Sequence, residues 1–324
     1  MSNSNYRFSV APMMGLTDRH ARFLLRLISH HALLYTEMVT CEAVLHGDCT
    51  RLLNYRAEEH PLALQLGGSN PTKLADCAKI ATNYGFDEVN LNVGCPSDRV
   101  QSGMFGACLM LNPQLVAECY TQMADASDVP VTVKCRIGVD EQDPQLALPE
   151  FIETVAAAGC TSFSIHARKA WLKGLSPKEN RDIPPLDYDL VYQMKQKYPD
   201  LTIVINGGIE SLDATATHLQ KVDGVMVGRK AYYEPYLLSD VDSLVFGETK
   251  AAATRESIFD RFLVYVEEEL AKGAALKHMS RHVLGLYHGV AGAKQFRRHI
   301  SENAFRPTAG LEVLTEARSK LQNM

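Results

Sequence analysis

Apolar, β-branched runs recur along the first two thirds of the chain, each followed by a stretch long enough for a helix. Eight of them read as strands: Phe8–Met13, Leu33–Met38, Leu62–Leu66, Glu88–Val93, Val131–Ile137, Ser162–Ala167, Thr202–Asn206 and Gly224–Gly228. The runs are nearly continuous rather than cleanly alternating, the pattern of parallel strands covered on both faces. The intervening stretches predict helices over Asp18–Ile28, Asn70–Tyr84, Asn112–Ala126, Pro149–Ala158 and Leu186–Lys197. Asn70-Pro71 and Asn112-Pro113 each set a capping side chain before a proline at the first helical position. Gly85, Gly159 and Gly224 fall at helix ends or just ahead of strands.

Eight β/α units within about 235 residues predict a (β/α)8 TIM barrel. An open doubly wound sheet is the rival, but it would carry a Gly-x-Gly-x-x-Gly turn after an early strand, and the chain has none there. Beyond about residue 250 the strand signal stops. Ser257–Leu270, Leu276–His288, Ala293–Ser301 and Leu311–Leu321 read as helices, with breaks at Gly273, Gly292 and Pro307. Two domains are expected: a catalytic barrel over 1–245 and a small all-helical domain over 246–324.

With 46% hydrophobic and 22% charged residues in 324, the composition excludes a disordered, collagen-like or small disulfide-stapled chain. No apolar run approaches the ~18 residues of a membrane span, and Met1–Arg7 lacks a basic-then-apolar export signal. A cytoplasmic protein is expected, with no membrane association. The eight cysteines form no Cys-x-x-Cys pair and no Cys/His cluster at zinc spacing. No metal site is expected, and most of these thiols should be small core residues.

Catalytic groups of such a barrel come from the C-terminal ends of its strands. Strand one delivers Pro12, Met13, Met14 and Gly15, and strand three ends near Gln65. Strand four leads through Asn90 and Asn92 to Gly94-Cys95-Pro96, strand five carries Lys134, and strand six carries His166. Strands seven and eight end in Asn206-Gly207-Gly208 and Gly228-Arg229, where barrels often bind a phosphate. The glycines admit backbone N–H groups close to an oxyanion, and Arg229 adds a guanidinium. Lys134 and His166 suit the oxygens and nitrogens of a cofactor ring, and Gln65 suits an imide edge. One phosphate, one polar ring edge and no Rossmann turn fit flavin mononucleotide (FMN).

Seven motifs carry a resemblance. Ala-Pro-Met-Met-Gly-Leu-Thr-Asp (11–18), Leu-Gln-Leu-Gly-Gly (64–68), Asn-Leu-Asn-Val-Gly-Cys-Pro (90–96) and Val-Lys-Cys-Arg-Ile-Gly (133–138) are the first four. With His-Ala-Arg (166–168), Ile-Asn-Gly-Gly-Ile (205–209) and Val-Met-Val-Gly-Arg (225–229), the chain resembles the tRNA-dihydrouridine synthases, most closely the bacterial A subfamily. The resemblance covers nearly the whole chain, and Asn-x-Gly-Cys-Pro is its specific element. It implies an FMN enzyme that reduces the C5–C6 double bond of uracil in tRNA, with NADPH as reductant. The implied target is the D-loop uridine at position 20, and also 20a. Carried over by motif, Pro12, Met13, Met14, Gln65, Lys134, His166, Asn206, Gly207, Gly208, Gly228 and Arg229 contact FMN. Cys95 is the implied acid, and Asn92 lies beside the uracil.

The chemistry agrees with that assignment. A hydride reaches C6 from one face of the base, and C5 takes a proton from the other. A free thiol, with a pKa of ~8.5, is mostly protonated at cellular pH and fits the proton donor. Cys135, next to Lys134 on a strand, should point the other way.

Charge gives the tRNA expectation. The net charge is -5, yet residues 251–324 hold 11 basic against 8 acidic side chains. A second basic run spans Arg168, Lys169, Lys173, Lys178 and Arg181. Lys178, Arg181, Lys294, Arg297 and Arg298 are therefore expected to line a phosphate track. Nothing in the chain calls for an obligatory protein partner. The alternatives are a small-molecule ene-reductase or a dihydroorotate or dihydropyrimidine dehydrogenase on the same flavin barrel, and a non-catalytic RNA-binding protein. The basic tail argues against the metabolite reductases, and bound flavin would exclude the last.

Overall fold

A computed structural model describes residues 6–97 and 103–321. Eight parallel strands close on themselves: β1 (Phe8–Val10), β2 (Leu33–Tyr35), β4 (Leu62–Gly67), β5 (Glu88–Val93), β6 (Val131–Arg136), β7 (Ser162–His166), β8 (Thr202–Asn206) and β9 (Gly224–Val227). Each pairs with its neighbour in order, β9 returns to β1, and β2 pairs with β4 to close the ring. The predicted (β/α)8 barrel is thus present. An additional short strand, β3 (Val39–Thr40), pairs with the end of β4 through Leu66 and Gly67. The second predicted strand is therefore two pieces: pairing stops at Tyr35 and resumes four residues later.

Capping chemistry fixes most helix starts. Asn70 and Asn112 accept from Lys73 N and Leu115 N, and a proline follows each at the first helical position. Such a cap contributes about 1 kcal/mol. The helix expected from Pro149 instead begins at Pro144, because Asp143-Pro144 supplies the same cap-and-proline start five residues earlier. Pro149 is then carried inside the helix. The short helix Leu212–Leu219, capped by Ser211, was not anticipated.

The barrel interior has two chemically different halves. Ala11, Leu33, Tyr35, Ala63, Val204 and Met226 form a buried apolar cluster with Tyr6, and Met13 packs against it. Strands β5 and β6 turn polar side chains inward at every second position: Glu88, Asn90 and Asn92, then Thr132, Lys134 and Arg136, all buried. The site grows from this polar half.

Contacts divide the chain into two compact units, residues up to Met14 with Ala32–Gly228, and Gly15–His31 with Arg229 onward. In the second unit, Asp18 caps helix Arg19–Ile28 through His20 N and Ala21 N, and also accepts from Arg281 and His282. Burial alone would raise this carboxyl, but the hydrogen bonds from His282, Ala21 N and Arg281 hold it well below the usual range. Phe23 stacks on Tyr265 at 4.1 Å, and Phe259, Tyr287 and Phe296 pack edge to face. The helix expected over Leu276–His288 stops at Ser280 and gives way to a 3-10 turn at Val283–Gly285. Gly285 sits where a Cβ would come within 2.3 Å of the Tyr233 carbonyl oxygen, so the close approach requires glycine. Among the described residues no helix is long and apolar enough to cross a membrane.

Candidate active site

At the C-terminal end of β5 the chain turns through Gly94-Cys95-Pro96, and its backbone polar groups are tied on several sides. Asn92 Oδ1 accepts from Gly94 N at 3.1 Å and Cys95 N at 2.9 Å. The Cys95 carbonyl accepts from Ala107 N at 2.9 Å, and the Gly94 carbonyl accepts from Arg136 Nε at 2.9 Å. Cys95 is half-buried, and its thiol points to Ser97 Oγ at 3.7 Å. By contrast Cys135 is fully buried, and burial pushes its thiol up to about 12.

Arg136 is the cross-brace of the mouth. Besides Gly94 it donates to the carbonyl oxygens of Lys169 and Asn180, both at 3.0 Å, in the loop after β7. One guanidinium thus fastens two loops, as its rigid fork of donors permits. Burial lowers it to about 10. Asn180, itself fully buried, holds that loop from within: it accepts from Trp171 N and donates to the Trp171 and Leu175 carbonyls.

Lys134 Nζ reaches across to Asn206 Oδ1 at 3.2 Å, and Asn206 Nδ2 donates to the Met226 carbonyl at 2.7 Å. Burial, then the charge of Arg136, lowers the Lys134 ammonium to about 8. His166 Nε2 is buried and has no hydrogen-bond partner. Burial and the nearby charges of Arg136, Lys134, Arg168 and Arg181 hold its imidazole far below its usual value, hence neutral. Gly207 lies against this ring with φ +114°, and a Cβ there would come within 3.0 Å of His166 Cδ2. Any side chain at Gly207 would press on the imidazole.

A buried imidazole nitrogen with no partner costs about 1–3 kcal/mol unless something supplies one. Together with a buried ammonium and the glycine backbone of Gly207-Gly208, it fits a ligand with ring heteroatoms and an anionic group. These donors suit the acceptor atoms of a flavin's polar ring edge and phosphate. Gln65, 1% exposed, donates from Nε2 to Asn90 Oδ1 and accepts at Oε1 from Asn92 Nδ2, both at 2.8 Å.

The model of the family described as dihydrouridine synthase matches residues 9–323. The chain is also 59% identical over 320 residues to the tRNA-dihydrouridine(20/20a) synthase of Shewanella oneidensis, covering 99% of this chain and 95% of the relative. The chain belongs to the dihydrouridine synthase family. The Vibrio parahaemolyticus protein of the same description is 58% identical, with 97% of each chain covered. The Escherichia coli K12 protein is 57% identical over 96% of this chain and 90% of its own. Among solved structures, a 2-naphthoyl-CoA reductase complex aligns with TM-score 0.56 at 13% identity, covering 72% of this chain and 49% of the other. Morphinone reductase aligns with TM-score 0.50 at 13% identity, over 78% and 88%. At that identity the likeness is one of fold.

Within this member of the family, Gln65, Asn92, Cys95, Lys134, His166, Asn206 and Gly207 are joined in the first unit by the contacts above. Gly228 lies beside Met13, where a Cβ would be 3.8 Å from its sulfur. Pro12 is half-buried after β1, while Met14 is 64% exposed. Arg229, exposed, opens helix Arg229–Tyr233 in the second unit. Gly208 has φ +67° and meets Leu186 and Tyr188, whose hydroxyl donates to the Gly207 carbonyl at 2.6 Å. Lys178 and Arg181 are exposed at the short helix Glu179–Asp182. On helix Ala293–Asn303, Lys294 and Arg298 face outward opposite Phe296 and Ile300; Arg297 is half-buried and Arg298 pairs with Glu302.

Sequence reasoning missed Arg136, Asn180 and Glu88. The signal for Arg136 and Glu88 was the two-residue period: each stands two positions from a polar residue already singled out on its strand, so it faces the same interior. Asn180 carried no local signal, because its role depends on the path of the loop around it.

Proposed function

We propose that this protein is an FMN-dependent reductase that converts D-loop uridine of tRNA to dihydrouridine, with NADPH as the electron source. Position 20, with 20a, is the proposed target, following the curated relatives named tRNA-dihydrouridine(20/20a) synthase. The observation that carries the reading is the mouth of the barrel. A half-buried thiol stands on a tied-down turn, beside a buried ammonium and an imidazole nitrogen that lacks a partner.

FMN, when bound, supplies the hydride that reaches C6 of the uracil ring. Lys134 Nζ and neutral His166 Nε2 would hold its polar atoms, with Gln65, Asn206, Gly207, Gly208, Gly228 and Arg229 as further contacts. Pro12, Met13 and Met14 would contact it. Cys95 Sγ gives its proton to C5 from the opposite face of the base, and Asn92 orients the uracil. The sulfur left negative lies within electrostatic reach of Lys134 and Arg136, whose positive charges stabilise it. One hydride and one proton account for the two hydrogens the product gains.

The base must leave the folded RNA to enter the mouth, at a cost of a few kcal/mol. Lys178 and Arg181, with Lys294, Arg297 and Arg298, offset that cost through phosphate contacts. The proposed division of labour is a catalytic barrel over 1–245 and a tRNA-binding helical domain over 246–324, in the cytoplasm and without an obligatory protein partner. Mass mapping of D-loop uridines in tRNA from cells lacking the protein tests the reading. Dihydrouridine should be missing at position 20 and return with the wild-type gene; unaltered dihydrouridine there would refute it.

A further inference from the structure

A single file of hydrogen bonds runs the height of the barrel, from the Cys95 turn to a buried acid at the closed end. Cys95 N donates to Asn92 Oδ1 at 2.9 Å, Asn92 Nδ2 to Gln65 Oε1 at 2.8 Å, and Gln65 Nε2 to Asn90 Oδ1 at 2.8 Å. Asn90 Nδ2 then donates to Thr132 Oγ1 at 2.8 Å, and Thr132 Oγ1 to Glu88 Oε1 at 2.6 Å. Tyr35 donates to the same carboxylate oxygen at 2.8 Å. Glu88 and Asn90 are fully buried, Gln65 is 1% exposed, and Asn92 is 7% exposed. Glu88 opens β5 and Asn92 stands four residues on, about 13 Å higher at the usual strand rise.

We infer that Glu88 is a positioning residue, fixing through this one-way file both the Cys95 turn and the amide orientation of Gln65. The polarity is forced from both ends. At the mouth, the backbone N–H groups of Gly94 and Cys95 can only donate, so Asn92 must offer its oxygen upward and its nitrogen downward. At the base, Glu88 Oε1 accepts hydrogen bonds from Thr132 and Tyr35, and a proton held by the carboxyl sits on Oε2, which has no partner, so Thr132 in turn accepts from Asn90. Between the two, every amide carries its oxygen toward the mouth and its nitrogen toward Glu88. Gln65 therefore shows an acceptor on its upper side.

The file transmits a fault because amides have one donor end and one acceptor end. Without an acceptor at position 88, the Thr132 hydroxyl loses its partner below and is free to turn and donate to Asn90, which requires that amide to turn over. Its nitrogen would then face the Gln65 nitrogen, so that amide must turn too. The conflict ends at Asn92, where a nitrogen would meet two backbone N–H groups, or at a joint left unmade. Once the Asn90 amide turns over, a loss at the base is felt at the mouth.

Charge is not the requirement. A neutral carboxamide at 88 keeps the accepting oxygen, whereas leucine removes it at similar volume. The groups that titrate or carry charge around Glu88 are Tyr6, Tyr35, Asp87 and Cys160, from four different stretches of the chain.

The inference deepens the proposed function, resting on it only where flavin is measured. The test uses the full-length protein stripped of flavin, with the variants Glu88→Gln, Glu88→Leu, Thr132→Ser and Thr132→Val. Two quantities are read: the alkylation rate of the Cys95 peptide by mass spectrometry, and FMN affinity by flavin fluorescence. Glu88→Gln and Thr132→Ser should stay within about twofold of wild type. Glu88→Leu and Thr132→Val should raise Cys95 alkylation and weaken FMN binding about tenfold, the equivalent of one buried hydrogen bond left unmade. The Thr132 pair decides the matter should Glu88→Leu fail to fold. Wild-type alkylation of Cys95 in a folded Glu88→Leu or Thr132→Val protein would overturn the inference, as would equal damage from Glu88→Gln. Should the wild type itself bind no FMN, the functional reading fails, while alkylation still decides this one.

Discussion

Arg136 Nε donates to the carbonyl oxygen of Gly94 at 2.9 Å, so the residue before Cys95 is anchored by a side chain from the neighbouring strand. The same guanidinium holds the Lys169 and Asn180 carbonyls. A lysine has one ammonium and cannot span three carbonyls in two loops. Arg136→Lys should therefore retain FMN but lower the rate of uridine reduction about a hundredfold, as a slightly misplaced acid does. Single-turnover rates beside flavin content check this; a wild-type rate would free Gly94 from any need of the brace.

The proposed cofactor pocket makes a separate prediction. Lys134→Ala, His166→Ala and Gly207→Ala should each purify with less flavin than wild type. Gly207→Ala acts without removing any donor, because its Cβ would press on His166 from 3.0 Å in a backbone conformation at φ +114°. Absorbance of the purified proteins measures it, and unchanged flavin content would remove these residues from the pocket.

Charge reversal addresses the proposed RNA track. Lys178→Glu with Arg181→Glu, and Lys294→Glu with Arg297→Glu, should each weaken tRNA binding and flatten the dependence of log affinity on log salt. Each lost phosphate contact reduces that slope by about 0.7–0.9. Binding titrations across a salt series read both effects. An unaltered slope for either pair would take that element out of the interface.

Burial raises the Glu88 carboxyl from 4.5 to about 7, against the pull of hydrogen bonds from Thr132, Tyr35 and Tyr6. Between those values the folded chain holds this proton more tightly than the unfolded chain. The stabilising contribution is complete below the unfolded value and is lost as pH rises through about 7. Wild type should therefore lose stability relative to Glu88→Gln between about pH 5 and about pH 8, by on the order of 3 kcal/mol. Urea unfolding of the two proteins across that range measures the difference, and parallel curves would show that no proton is taken up at Glu88.

The eight barrel strands were legible because each run is apolar enough to stand between a helix layer and an interior. Their mouth was legible because a lysine, a histidine and paired glycines fell at strand ends in register. Pro149 misled, since a proline marks a helix start only when no better cap precedes it, and Asp143-Pro144 does. Arg136 and Glu88 went unread for a different reason. In a strand buried on both faces, Val-Lys-Cys-Arg and Glu-Val-Asn-Leu-Asn look like interruptions of a hydrophobic run. Only the closed ring reveals that the polar positions of β5 and β6 face one another. Asn180 could not be read at all, because its partners lie along a loop whose path no local pattern encodes.

The central claim is tested most directly by single-turnover reaction of pre-reduced, FMN-loaded protein with unmodified tRNA, comparing wild type with Cys95→Ala. Wild type should add two hydrogens to the D-loop uridine and oxidise its flavin in step. Cys95→Ala should bind the same tRNA and flavin while losing most of both signals. Full dihydrouridine formation by Cys95→Ala, or none by wild type, would contradict the account.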